Sequence, residues 1–144
     1  IEKILNLETG HLELFFDDDW VSKYRLMSYG HDIEASWLIH EAALVLGDTA
    51  LLEKVEPLVE YIAAAADEGL MPDGSMVYET FCDQDKTDTD RHWWVQAETV
   101  VGHVNLSTTR YHSKRLSGAG TLSSSTSSTD RMANGTGAYV PTVQ

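Results

Sequence analysis

The chain has 144 residues, and its 10 Lys and Arg against 23 Asp and Glu give a net charge of -13, which disfavours nucleic acid and anionic membranes and suits a small neutral or cationic partner. That length is enough for one ordinary domain with its own core, while no run approaches the roughly 18 consecutive apolar residues of a membrane span and nothing resembles a signal peptide. The single cysteine, Cys82, excludes an internal disulfide and fits a reducing compartment, so a cytoplasmic setting is expected. The chain begins at Ile1, within what reads as running structure, and is therefore expected to be an internal fragment.

In chain order, residues 11–16 alternate apolar and polar before Asp17, Asp18 and Asp19, which suits a short strand entering a turn, with Tyr24 to Ser28 as its expected partner. A helix is expected from about His31 to Leu46, closed by Gly47 as C-cap, with Asp48 as N-cap of the next. In this first helix Ile33, Ala35, Trp37, Leu38, Ile39, Ala42, Ala43, Val45 and Leu46 cover most of the circumference rather than one stripe, so enclosure on most sides is expected. Ala50 to Ala66 instead places Leu51, Leu52, Val55, Leu58, Val59 and Ile62 on one face, opposite Glu53, Lys54, Glu56 and Glu60. This is the pattern of a half-exposed outer helix, with Pro57 as a possible kink.

Pro72, Asp73 and Gly74 mark a tight turn, so Gly69 to Phe81 reads as a hairpin-like excursion. A charged loop from Asp83 to Arg91 leads into a second enclosed helix, from about Trp93 to Asn105. Alternation of enclosed and amphipathic helices is what an α/α barrel requires, because its inner helices touch neighbours on every side and its outer ones on one. The expected fold class is all-α, a partial (α/α)6 barrel with short β-hairpin loops.

Chemistry concentrates in residues 28–38, Ser-Tyr-Gly-His-Asp-Ile-Glu-Ala-Ser-Trp-Leu. Gly30 permits a sharp entry to the helix, and His31 and Glu34 then stand at i and i+3 on one face. A histidine titrates near neutral pH and suits proton transfer. The bland alternatives are a core histidine bonded to a carbonyl and a surface carboxylate near the positive end of the helix dipole. Asp32 points elsewhere and is expected to stabilise the first helical turn. Metal binding competes, since His31, Glu34, His92 and His103 are ligand types. However, no compact ligand cluster or His-x3-His pair occurs, so neither a metal nor a cofactor is expected. Cys82 has no committed histidine and reads as a bystander thiol.

The words SYGHDIEASWL (28–38) and HWWVQAETVVG (92–102), in that order and with FFDDDW at 15–20, resemble the cellobiose 2-epimerases of the N-acylglucosamine 2-epimerase superfamily. The resemblance implies inversion at C2 of the reducing-end glucose of a β-1,4-linked disaccharide, without a metal, by proton abstraction and re-addition through an enediolate. On this reading His31 is a general acid/base, with its second histidine in a later motif outside this chain, and the chain alone is expected to be inactive. Glu34 orients the imidazole or fixes a nearby arginine, and Trp94 is the sugar platform with Trp93 facing the core. Glu98 is a hydroxyl ligand, and Tyr29 flanks the pocket or packs. The implied partner is a small-molecule sugar. Alternatives are an N-acylglucosamine 2-epimerase or mannose isomerase, a non-catalytic carbohydrate-binding fragment, and a glycoside hydrolase using a pair of acids such as those at 17–19.

The composition breaks at Asn105. Residues 1–105 carry 6 Lys and Arg against 22 Asp and Glu, and residues 106–144 carry 4 against 1. Ser and Thr make up 13 of the 24 residues from Leu106 to Thr129. A disordered linker explains that composition, but the codons favour a frameshift. When each codon is read from the third base of the preceding one, permitted choices from Ser125 onward spell His-Ile-Val-Asp-Arg-Pro-Asn-Gly-Glu-Trp-His-Trp-Gly-Val. That string resembles a stretch following the WWVQAE helix in the same superfamily. The domain expectation is thus an epimerase-domain fragment over 1–105, then a frameshifted, disordered tail over 106–144.

Overall fold

In the computed structural model, which describes residues 1–119 and their side chains as far as Thr108, strand β1 (Leu26–Ser28) runs directly into helix α1 (Tyr29–Leu46). Gly47 closes α1 in the left-handed region, at φ +67°, and donates its N–H to Leu44 O. Asp48 then caps α2 (Thr49–Ala66) by accepting from the Leu51 N–H at 3.1 Å. Both caps and the two helices agree with the expected ones, and α2 continues through Pro57.

A 3-10 turn at Asp67–Gly69 leads into the expected tight excursion, where Leu70 and Met76 form an isolated bridge and Val77 donates back to Gly69 O. The chain then forms β2 (Glu79–Phe81) and β3 (Lys86–Asp88) before entering α3 (Trp93–Ala119). The three strands make one antiparallel sheet in the order β1-β2-β3, so the fold is helical with a small sheet rather than purely all-α.

The partner expected for Tyr24 to Ser28 is corrected. Leu26 pairs with Phe81 and Ser28 with Glu79, whereas residues 11–16 form only isolated bridges, Leu5 with Leu12 and Phe16 with Ser22. The reason is a competing use of the 11–16 segment: Leu5 and Leu12 pack with Ile62 of α2, so the segment lies over the helices.

Helix α1 is the centre, contacting both α2 and α3. Tyr29 and Ile33 join Ala63 and Ala66 of α2, Met76, Val77, and Val95 of α3 in the main core. On α2 the expected division holds, with Val55, Val59 and Ile62 buried and Glu53, Lys54 and Glu60 exposed. Enclosure of α1 is only partial: Ile33, Ser36, His40 and Ala43 are covered, while Leu38, Leu44, Leu46 and Val45, the last 85% accessible, face outward. Two helices and the N-terminal segment cover one side of α1, and no closed barrel forms among the described residues.

Helix α3 does not stop at the compositional break but continues past Asn105 to Ala119. The disorder expected from residue 106 is therefore corrected for residues 106–119, whose backbone is helical. Its remainder, 120–144, lies outside the described residues. Among the described residues no helix is long and apolar enough to cross a membrane.

Candidate active site

Ser28 ends β1 and is the N-cap of α1, so its extended backbone (φ -115°, ψ 96°) points the first helical turn, with His31, toward the sheet. An N-cap serine ordinarily accepts from a backbone N–H of that turn, but Ser28 makes no such bond. Its Oγ stands 2.8 Å from His31 Nδ1 and donates to Glu79 Oε1 at 3.4 Å. Ser28 is fully buried and Glu79 half-buried, while the His31 ring is exposed.

The other wall comes from α3. The Trp94 ring lies 5.0 Å from that of His31, tilted by 59°, and it can come so near because residue 30 has no side chain. A Cβ at Gly30 would fall 2.6 Å from Trp94 Cη2. Tyr78 meets Trp94 edge-on at 6.2 Å and lies 4.1 Å from the His92 ring. Burial and the neighbouring Glu79 charge raise the Tyr78 hydroxyl above its ordinary pKa. Gln96 holds this wall to the preceding loop, accepting from Met76 N–H at 3.0 Å and donating to Met76 O at 2.8 Å. The result is an exposed imidazole beside a half-buried indole, a group for proton transfer next to a flat apolar surface of the kind that receives the C–H face of a sugar.

The structure brings His31 and Trp94 together. Trp93 is corrected: it is 82% accessible and does not face the core, because Val95 occupies the core-facing position of the first turn of α3. Glu34 is half-buried on α1 and makes no hydrogen bond or ion pair among the described residues. The group on the imidazole nitrogen is Ser28. Glu98 accepts from Trp37 Nε1 at 2.9 Å, tying α3 to α1. Tyr29 is buried in the core, its hydroxyl 2.8 Å from Thr80 Oγ1, and burial raises its pKa.

Asp32 does more than the expected first-turn role. It does stand in the first turn of α1, but it is fully buried and its carboxylate is engaged by the N-terminal segment, accepting from Leu12 N–H at 2.9 Å and pairing with His11 Nδ1 at 2.7 Å. Burial alone lowers the His11 pKa, but the hydrogen bond and charge of Asp32, with Glu68 behind them, outweigh it and leave the pKa raised. Cys82 is half-buried, its Sγ directed at Thr80 O. Asp17 binds its own turn and Lys23. Among the described residues no group of three or more His, Cys, Asp or Glu is placed to hold a metal ion.

Ser28 and Glu79 escaped the sequence reading. Ser28 carries a signal, an N-cap serine three residues before the histidine, whereas Glu79 is 51 residues away and reaches the site only through strand register.

An architecture of this kind belongs to the helical sugar epimerases, as solved structures show. The chain matches the structure of a sugar epimerase from a ruminal bacterium with a TM-score of 0.71 and 34% identity, over 83% of this chain and 30% of that one. It matches cellobiose 2-epimerase from Bacillus thermoamylovorans B4167 at 0.67 and 40% identity, over 75% of this chain and 27% of that one. The chain belongs to the N-acylglucosamine 2-epimerase (GlcNAc 2-epimerase) family, whose model matches residues 1–123. Cellobiose 2-epimerase of Bacteroides fragilis is 64% identical over 105 residues, 73% of this chain and 27% of that relative. The chain thus spans about a quarter of the length of the curated relatives it matches. The family match, like α3, extends past Asn105.

Proposed function

We propose that this chain is the His31-bearing part of an epimerase that inverts C2 of the reducing-end glucose in cellobiose-type β-1,4-disaccharides. The observation that carries the reading is the His31 imidazole 5.0 Å from the Trp94 ring at the strand-to-helix junction, in a chain closely similar to a cellobiose 2-epimerase. After the hemiacetal opens, the C1 aldehyde acidifies the C2 proton. A base removes that proton, the electron pair moves onto the C1 oxygen to give an enediolate, and a proton returned to the opposite face of C2 yields the epimer. His31 serves one face as general acid/base, and a second group must serve the other. Trp94 holds the sugar ring by its C–H face and Glu98 is assigned to a hydroxyl, while the imidazole's polar neighbour is Ser28 rather than the expected Glu34.

The test is incubation of the protein carrying this segment at full length with cellobiose in deuterated water. Deuterium at C2 of the reducing-end sugar is the expected result. Release of glucose would replace the proposal with hydrolysis, and binding without exchange would leave a carbohydrate-binding role. Exchange with N-acylglucosamine or mannose but not with cellobiose would reassign the substrate.

A further inference from the structure

The two polar neighbours of Ser28 determine which nitrogen of His31 carries its proton. A serine hydroxyl has one hydrogen to donate, and a carboxylate accepts without donating. Ser28 Oγ lies within hydrogen-bonding distance of both Glu79 Oε1, at 3.4 Å, and His31 Nδ1, at 2.8 Å. If Glu79 takes the hydroxyl hydrogen, the shorter contact must be an N–H from Nδ1 donated to Oγ. Nδ1 is then the protonated nitrogen of the neutral ring, and Nε2 keeps its lone pair. No partner of Nε2 occurs among the described residues.

The arrangement is built in rather than incidental. Ser28 and Glu79 are directly opposed in the β1-β2 register, so their side chains share one face of the sheet. Ser28 also forgoes the capping bond that its position offers. We infer that Glu79 and Ser28 are positioning residues forming a relay, Glu79 to Ser28 to His31, which holds the neutral imidazole as the Nδ1–H tautomer and presents Nε2 as the proton acceptor. The relay rests on the reading of His31 as the proton-transfer group and deepens it. Glu79 sets the direction of the relay, because without it the Ser28 hydroxyl is free to donate to Nδ1 and move the ring proton to Nε2.

The tautomer can be read without turnover. The 144-residue chain, labelled with 15N-histidine, is measured by long-range proton–nitrogen correlation at a pH where the ring is neutral, with His31 assigned by the signals lost in His31→Asn. The expected wild-type pattern is a protonated, pyrrole-type Nδ1 and an unprotonated, pyridine-type Nε2. Glu79→Ala is expected to reverse the pattern with the amide spectrum otherwise conserved, and Ser28→Thr, which keeps the hydroxyl, to preserve it. A pyrrole-type Nε2 in the wild-type chain would overturn the relay, and that spectrum decides even where a variant fails to fold. An unchanged tautomer in folded Glu79→Ala would overturn it equally. An Nδ1–H imidazole in a protein that fails to exchange the C2 proton would leave the relay standing and remove the epimerase reading.

Discussion

Replacing Asp32 by Asn tests whether the buried pair beneath the site holds α1 to the N-terminal segment. Asn has the same shape and retains an oxygen for the Leu12 N–H, but it loses the charge that faces His11 Nδ1 at 2.7 Å. A hydrogen bond to a charged group contributes about 1.5–3 kcal/mol. At acidic pH, where His11 is protonated, Asp32→Asn is therefore expected to lose about that much, a fall in Tm on the order of 10 °C for a domain of this size. The pH dependence is more diagnostic. With the folded His11 pKa raised, its contribution in the wild-type chain is complete below the unfolded value of about 6.5 and is lost as pH rises through the higher folded value. In Asp32→Asn, burial opposes only Glu68, which is 60% exposed and 3.5 Å from Nε2, so the folded pKa is expected to fall below that of the unfolded chain. The variant should then gain stability as pH rises toward the unfolded value of about 6.5, whereas the wild type loses it as pH rises above that value. Thermal melts followed by circular dichroism from pH 5 to 9 read both slopes. A variant with the wild-type slope, or one losing under about 0.5 kcal/mol at pH 5, would refute the reading of His11 and Asp32 as a buried ion pair.

In the full-length protein, His31→Asn is expected to slow C2 proton exchange more than about a hundredfold while sugar binding survives, and Trp94→Ala to weaken binding. Near-normal exchange in His31→Asn would make His31 a structural residue. Gly30→Ala brings a methyl within 2.6 Å of Trp94 and 2.8 Å of Val95. The expected net loss is about 1–2 kcal/mol, overpacking outweighing roughly 1 kcal/mol of helix propensity, with altered Trp fluorescence; a more stable variant would contradict this packing. The exposed Val45, Leu46, Val100, Val104 and Trp93 predict strong binding of the dye ANS by the 144-residue chain, and a cooperative melt without dye binding would show these faces to be covered. Resequencing across the Asn105 codon is expected to reveal a missing or extra base, and an intact frame with homologues sharing the Ser-rich tail would remove the frameshift reading.

The helices, their caps and the candidate histidine were legible locally. Gly47 and Asp48 cap by their own backbone and side-chain preferences, α2 sorts its faces by a 3.6-residue period, and the Ser-Tyr-Gly-His word marks the strand-to-helix junction. What the sequence could not supply depends on residues far apart along the chain. The partner of β1 is Glu79–Phe81 because segment 11–16 is drawn onto the helices by Leu12. Asp32 is a buried acceptor because that same segment delivers the His11 ring and the Leu12 N–H to it. Of the adjacent tryptophans, Trp94 is placed against Gly30 and His31 and Trp93 outward, since Val95 takes the core position. Local sequence determined which residues form each turn of helix and where it stops, because those energies arise within four residues. Which side chain meets His31 was decided by strand register and helix packing, which join Ser28 to a carboxylate 51 residues later and α1 to an indole on α3.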